Sequence, residues 1–400
     1  MNGGKSMRKI LENGITLRIC DTKNSDSVCL LLKLSGGAAW ESASNKGITH
    51  LVEHLCFRRS RNMTQREFYY KIERCGGYLR GATYRDCVIF EITVLKKHLS
   101  ETVNILRGMF DENGWTYEDI RREKQVVLRQ LENSGDITAK QLFYDFFCKS
   151  RAGECILGTQ HKMLSFTKAE ILNQKALLFN PCNAELIVTG NITSEDVQLV
   201  EAVFSNILSA TKNCLHEITP SRFLSRTKKD FHDYEEDSDR SIIAISFDVD
   251  TETVSRLSAE LLHCTLGQGL LSPFSMRLRE ELGILAEIES GCEFYNFGGI
   301  MYFIFEVCKN DSNVLKEELQ KIFSEQKTKL DKYAFECAKA SFSERELSVS
   351  EIAYILAFND DIVSHEEYIA RVNSLKYEDV CSAAKNILSP SNVTVNLYNL

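Results

Sequence analysis

Ile48-Thr49-His50-Leu51-Val52-Glu53-His54 is the stretch on which the fold and the chemistry of this chain turn. Its two histidines stand four residues apart, so on a helix both rings project from one face, a turn apart. That spacing suits two nitrogen ligands on one tetrahedral zinc ion. Glu53 lies beside them on the same face, placed to take a proton from a metal-bound water rather than to bind metal itself. H-x-x-E-H is the inverted form of the zincin motif. The same residues also fit a plainer reading, two partly exposed helical histidines near a carboxylate, so a third ligand from another element must decide.

Outward from this helix the pattern is mixed. Thr16–Cys20 and Ser27–Leu34 are short β-prone runs, the second ended by Gly36-Gly37. Thr64-Gln-Arg-Glu67 forms a capping box for a helix that stops at Gly76-Gly77. Leu79 to Leu95 alternates like a strand, through Val88, Phe90, Ile92 and Val94. Helical patterns cover Leu99–Phe110 and run from Thr116 past Leu131. The strand Ala184–Gly190 then leads to a helix ending at Phe204. The polar segment 209–229 reads as a linker. After it the order recurs: strand Ser241–Phe247, helix Val254–Gly267, strands from Ile288 to Val307, helix Val314–Tyr333, and a closing strand Asn392–Tyr398. Both halves close alike, on Asn180-Pro-Cys-Asn-Ala-Glu-Leu-Ile-Val and Ser389-Pro-Ser-Asn-Val-Thr-Val-Asn-Leu. This implies a duplicated α+β unit, residues 1–208 and 230–400.

Arg122-Glu-Lys-Gln-Val-Val-Leu-Arg-Gln-Leu131 carries the decisive resemblance. With the H-x-x-E-H motif it resembles the pitrilysin/insulinase (M16) family, in which the motif is followed about 76 residues later by a helix of the form E-x-x-V-[IV]-L-x-E. The resemblance implies a zinc metallopeptidase fold of two homologous α/β-sandwich units, each a mostly antiparallel sheet with helices packed on it. It implies that His50 and His54 ligate Zn2+, that Glu53 activates water, and that Glu123 supports the site. The third ligand position is Gln130 where the family has Glu. Glu132 cannot replace it, because nine residues from Glu123 turns it to roughly the opposite side of the helix. A neutral ligand weakens the hold on zinc. A weak-binding peptidase and a non-catalytic peptide-binding subunit therefore both stay open, and so does a swing of Glu123 into the ligand role.

Gly76-Gly-Tyr-Leu-Arg-Gly-Ala-Thr83 resembles the family segment that leads into a peptide-pairing edge strand, which implies substrate contacts from Arg80, Gly81, Ala82 and Thr83. Arg279-Glu-Glu-Leu-Gly-Ile-Leu-Ala286 resembles the run whose Arg and Tyr reach substrate. Arg279 is kept, but the Tyr position is Ala286. The loss implies a partner, a second M16-like subunit forming a heterodimer, with a homodimer as the plain alternative.

Bulk properties narrow the class. The chain has 400 residues, 44% hydrophobic and 26% charged, with a net charge of −8 that argues against nucleic acid or an acidic membrane as partner. Fourteen cysteines include no C-x-x-C pair and read mainly as reduced, structural residues, several of them, such as Cys29, Cys87 and Cys308, as buried thiols inside apolar runs. No stretch approaches 18 consecutive apolar residues and the first residues lack a signal-peptide run, so the expectation is a cytoplasmic protein.

Overall fold

The computed structural model describes residues 6–23, 25–60, 63–111, 114–133, 146, 153–208, 239–285, 288–295, 298–389 and 393–399. The expected linker 209–229 and Ala286 lie outside the described residues. Two compact units form, the first from the described residues of spans 1–137, 154–220 and 347–367, the second from those of 138–153, 221–346 and 368–400.

The strands of the first unit are β1 (Met7–Ile10), β2 (Thr16–Asp21), β3 (Ser27–Ser35), β4 (Arg59–Ser60), β5 (Met63–Thr64), β6 (Tyr78–Thr83), β7 (Cys87–Leu95) and β8 (Ala184–Gly190). β4 and β5 form a small hairpin. The others make one sheet in the order β1-β2-β8-β3-β7-β6, in which only β2 and β8 run parallel. Its helices are α1 (Ile48–Cys56), α2 (Gln65–Glu73), α3 (Leu99–Arg107), α4 (Tyr117–Asn133), α5 (Gln160–Ser165), α6 (Lys168–Leu178) and α7 (Ser194–Phe204).

Alternation explains the main core. Val28, Leu30, Leu32 and Leu34 of β3 join Val88, Phe90, Ile92 and Val94 of β7 on one face, packed with Leu51, Val52 and Leu55 of α1. The intervening residues Cys29, Leu31 and Ile89 are buried too, which is why β3 reads as a nearly unbroken apolar run. Their cover comes from far along the chain. After α8 (Arg256–Gly267), α9 (Ser312–Thr328) and α10 (Lys332–Ser343) comes α11 (Val349–Phe358), which packs on β3 and β8. Polar groups fasten it there. Thr189 Oγ1 donates to Val349 O at 2.6 Å, Ser350 Oγ to Glu91 Oε1 at 2.6 Å, and Lys33 Nζ to Ala357 O at 2.5 Å. The fully buried Arg18 donates to the carbonyls of Leu356 at 2.5 Å, Asn359 at 3.1 Å and Ile362, and pairs with Glu185 at 3.2 Å.

The second unit has β9 (Arg240–Val249), β10 (Ile288–Tyr295), β11 (Gly298–Cys308) and β12 (Val393–Asn399), in the order β10-β11-β9-β12. This matches β6-β7-β3-β8 strand for strand, with every pair antiparallel in both. Its core gathers Phe247, Phe274, Phe303 and Phe305, with Phe323 packed against it, under α8, α9, α10 and α13 (Tyr377–Ile387), while α12 (His365–Ser374) precedes α13. The fold is thus α+β with two like-built sheets.

Two elements differ from their sequence reading. Leu79–Leu95 is a hairpin, turned at Tyr84-Arg85-Asp86, where Tyr84 N donates to Cys87 O at 2.8 Å. Alternation persists on both sides of that turn, so the break leaves no trace in it. The turn packs on Gly37, where a Cβ would lie 2.2 Å from Tyr84 O. The expected helix Val314–Tyr333 is divided at Asp331, whose carboxylate accepts from Ala334 N at 2.8 Å and starts α10. Among the described residues, no helix is long and apolar enough to cross a membrane.

Candidate metal centre

α1 begins after Gly47, which has no side chain to cap it. Glu41 does so from outside, accepting from Gly47 N and Thr49 N at 2.8 Å each. Burial raises the pKa of this carboxyl, against the pull of those two amides. The helix faces the inner side of the sheet with Leu51, Val52 and Leu55 and turns His50 and His54 towards α4. Their ring centroids are 4.6 Å apart.

α4 starts at its own capping box, Thr116 with Asp119. It brings Glu123 and Gln130 to the same face, as the near-two-turn spacing requires. His50 Nε2 lies 3.1 Å from Gln130 Oε1, and His54 Nδ1 lies 3.0 Å from Glu123 Oε2. The buried Glu123 uses its second oxygen to accept from Arg58 Nε. Arg58 Nη1 donates to Gln65 Oε1 at 2.8 Å.

The buried Glu53 accepts from Thr83 Oγ1 at 3.3 Å. It also lies 3.3 Å from His50 Nδ1, which is buried without a hydrogen bond of good geometry. Burial opposes protonation of His50, but the adjacent Glu53 carboxylate outweighs it and raises the histidine's pKa. His50, Glu53 and His54 each offer a ligand atom within 4.8 Å of one another.

This donor set fits zinc. His54 Nδ1–H donated to a carboxylate leaves Nε2 with its lone pair, the usual tautomer of a metal-bound histidine backed by an outer carboxylate. Nε2 of His50 and Oε1 of Gln130 converge, and without a cation between them the contact is an ordinary hydrogen bond. Two imidazoles and one amide oxygen are acceptable zinc ligands, with one fewer negative charge than two imidazoles and a carboxylate.

β6 is the edge of its sheet. Its residues alternate. Gly81 and Thr83 face α1, and a Cβ on Gly81 would lie 2.3 Å from Glu53 Oε1 and 2.6 Å from the Phe57 ring. Only glycine lets strand and carboxylate approach this closely. Arg80 and Ala82 take the other face, where the Arg80 guanidinium lies 5.8 Å from the Tyr354 ring centroid. Of the four edge-strand residues, Gly81 and Thr83 are thus brought to the site, while the side chains of Arg80 and Ala82 are not. Arg279 belongs to the second unit, where it is exposed and 3.7 Å from Glu280.

Glu41, Arg58 and the Thr83–Glu53 contact were not read from the sequence. Each joins separate elements through a polar side chain, and no spacing rule reports such pairs. A second cluster, Cys75, His98 and Glu101, also lies within 4.8 Å, but Arg74 holds both oxygens of Glu101 at 2.6 and 2.5 Å. His263 is a core histidine, stacked at 5.4 Å on Phe303.

Residues 19–160 match the family described as insulinase (peptidase family M16), and residues 165–342 match the M16 inactive domain. The chain belongs to the M16 family. Among M16 relatives, a zinc protease of Rickettsia felis is 23% identical over 397 residues, covering 95% of this chain and 94% of its own length. The β subunit of the mitochondrial-processing peptidase of Rattus norvegicus is 24% identical over 219 residues, 53% of this chain and 44% of that one. In fold, the crystal structure of a protease from Helicobacter pylori superposes with a TM-score of 0.89 at 18% identity, over 99% of this chain and 100% of that one. An M16 inactive domain from Pseudomonas fluorescens gives 0.88 at 13% identity, over 99% and 98%.

Proposed function

We propose that this chain is a zinc-dependent metalloendopeptidase acting on short or extended peptides. The observation that carries the reading is the convergence of His50 Nε2 and Gln130 Oε1 at 3.1 Å, beside a His54 already oriented by Glu123. His50, His54 and Gln130 would hold the ion, which supplies Lewis acidity and lowers the pKa of a water it binds. Glu53 takes the proton from the attacking water and delivers it to the departing amine. Thr83 holds one Glu53 oxygen, and Gly81 lets the carboxylate stand against the edge strand. A peptide laid along β6 would be gripped through main-chain bonds, with loose demands on its side chains.

Zinc analysis of the purified chain, with cleavage of an unstructured peptide by wild type and Glu53→Gln, tests this. Cleavage that survives the substitution ends the proposal. The second reading, a non-catalytic peptide-binding subunit, is favoured by the neutral Gln130; it predicts no stoichiometric zinc and no gain from Gln130→Glu.

The matching strand orders support a tandem of residues 1–208 and 230–400, the latter an inactive repeat, with 347–367 returned to the first unit. A second related chain, or a second copy, would supply the substrate contact missing at Ala286. Eleven free cysteines among the described residues support a reducing, cytoplasmic setting, although Cys182 is disulfide-bonded.

A further inference from the structure

Glu123 is buried and both of its oxygens are engaged, Oε2 by His54 and Oε1 by Arg58. A buried carboxylate facing only a neutral imidazole would be poorly compensated, and it would be drawn to any nearby cation. Arg58 supplies the missing positive charge on the side away from the histidines. It is itself held. Its Nη1 donates to Gln65 Oε1 at 2.8 Å, and Gln65 Nε2 donates to Tyr69 Oη at 3.1 Å. A line of polar contacts therefore runs from α2 through the end of α1 to α4, and it ends on His54.

We propose that Arg58 is a positioning residue for the metal centre. It locks Glu123 against His54 Nδ1, so that His54 presents its other nitrogen. The proposal rests on the zinc-peptidase reading above. Its geometry requires arginine rather than any cation, because one planar group must reach two acceptors on different helices at once.

The experiment measures Zn2+ affinity of the full chain by chelator competition, for wild type, Arg58→Met, Arg58→Lys, Glu123→Gln and the Arg58→Met/Glu123→Gln pair. Arg58→Met is expected to weaken binding about 10–100-fold, the range for loss of a partner behind a metal ligand. Arg58→Lys falls between Arg58→Met and wild type. The double substitution is no weaker than Glu123→Gln alone, because Arg58 acts through Glu123. Unchanged or tighter binding in Arg58→Met overturns the proposal, as does full additivity.

Should Arg58→Met fail to fold, Arg58→Lys carries the same comparison. Should neither wild type nor Gln130→Glu bind Zn2+, the metallopeptidase reading fails by itself. Arg58 is then judged on metal-free protein, from the melting temperatures of Arg58→Met, His54→Phe and their combination. Coupling through Glu123 makes those shifts non-additive, and additive shifts reject the positioning role.

Discussion

Replacing Arg18 by methionine, which keeps length and removes charge, should release α11 from the sheet. Arg18 is 1% exposed and bonds three carbonyls at the end of α11, Leu356, Asn359 and Ile362, besides Glu185. At about 1.5–3 kcal/mol per charge-assisted bond, a simple sum would exceed 6 kcal/mol. That sum is too large. Leu356 O and Asn359 O also accept backbone bonds at 3.3 Å, and Glu185 keeps Lys33 at 3.8 Å. The appropriate figure is that for breaking one buried charged cluster, about 3–5 kcal/mol. A well-packed methionine recovers part of it, because well-packed apolar replacements of buried ions are often tolerated. The net expectation is about 3 kcal/mol, roughly two orders of magnitude in the local opening constant. Amide hydrogen exchange reads it directly, as faster exchange confined at first to residues 349–362. Exchange there within about threefold of wild type would refute the clasp.

Gln130→Glu restores a charged ligand and should tighten Zn2+ binding by roughly an order of magnitude or more, measured by chelator competition; equal affinity would mean that position 130 does not touch the ion. Gly81→Ala pushes a methyl against Glu53 Oε1 and Phe57, so peptide cleavage should fall about 10–100-fold while zinc affinity stays, since Glu53 is not a ligand; loss of both together would place Gly81 in folding instead. His263 has its pKa lowered to about 4 by burial. Between about 6.5 and 4 the unfolded chain therefore binds a proton that the folded one refuses, and stability falls as pH falls, by about 2 kcal/mol at pH 5. His263→Leu should remove that acid-side loss, so urea midpoints at pH 7 and 5 converge relative to wild type; an unchanged difference would show that His263 does not set it.

Much of the site was legible because it follows helical geometry. His50, Glu53 and His54 share a face by spacing alone, and Glu123 and Gln130 share theirs because seven residues is nearly two turns. Arg58 was not legible, since its role depends on where the ends of α1, α2 and α4 meet. The hairpin of β6 and β7 was not legible because its turn, Tyr84-Arg85-Asp86, has no Gly, Pro or Asn to mark it. For α11 the limitation is of another kind. Val349-Ser-Glu-Ile-Ala-Tyr-Ile-Leu-Ala-Phe358 is apolar nearly all round, which marks it for burial without naming the surface that buries it.

That surface sets an order of events during synthesis. Arg18 is made 338 to 344 residues before the carbonyls it binds. Until then the outer side of β3 and β8, with Leu31 and Ile187, has no cover. The first unit, though begun before the second, is therefore closed only after most of the second has been made, and its central strands stay adhesive while the intervening residues are synthesised. A fragment ending at residue 208 would carry every proposed zinc ligand and still be a poor protein to purify. Supplying residues 347–367 as a separate peptide, or fused behind such a fragment, is the direct way to make it soluble.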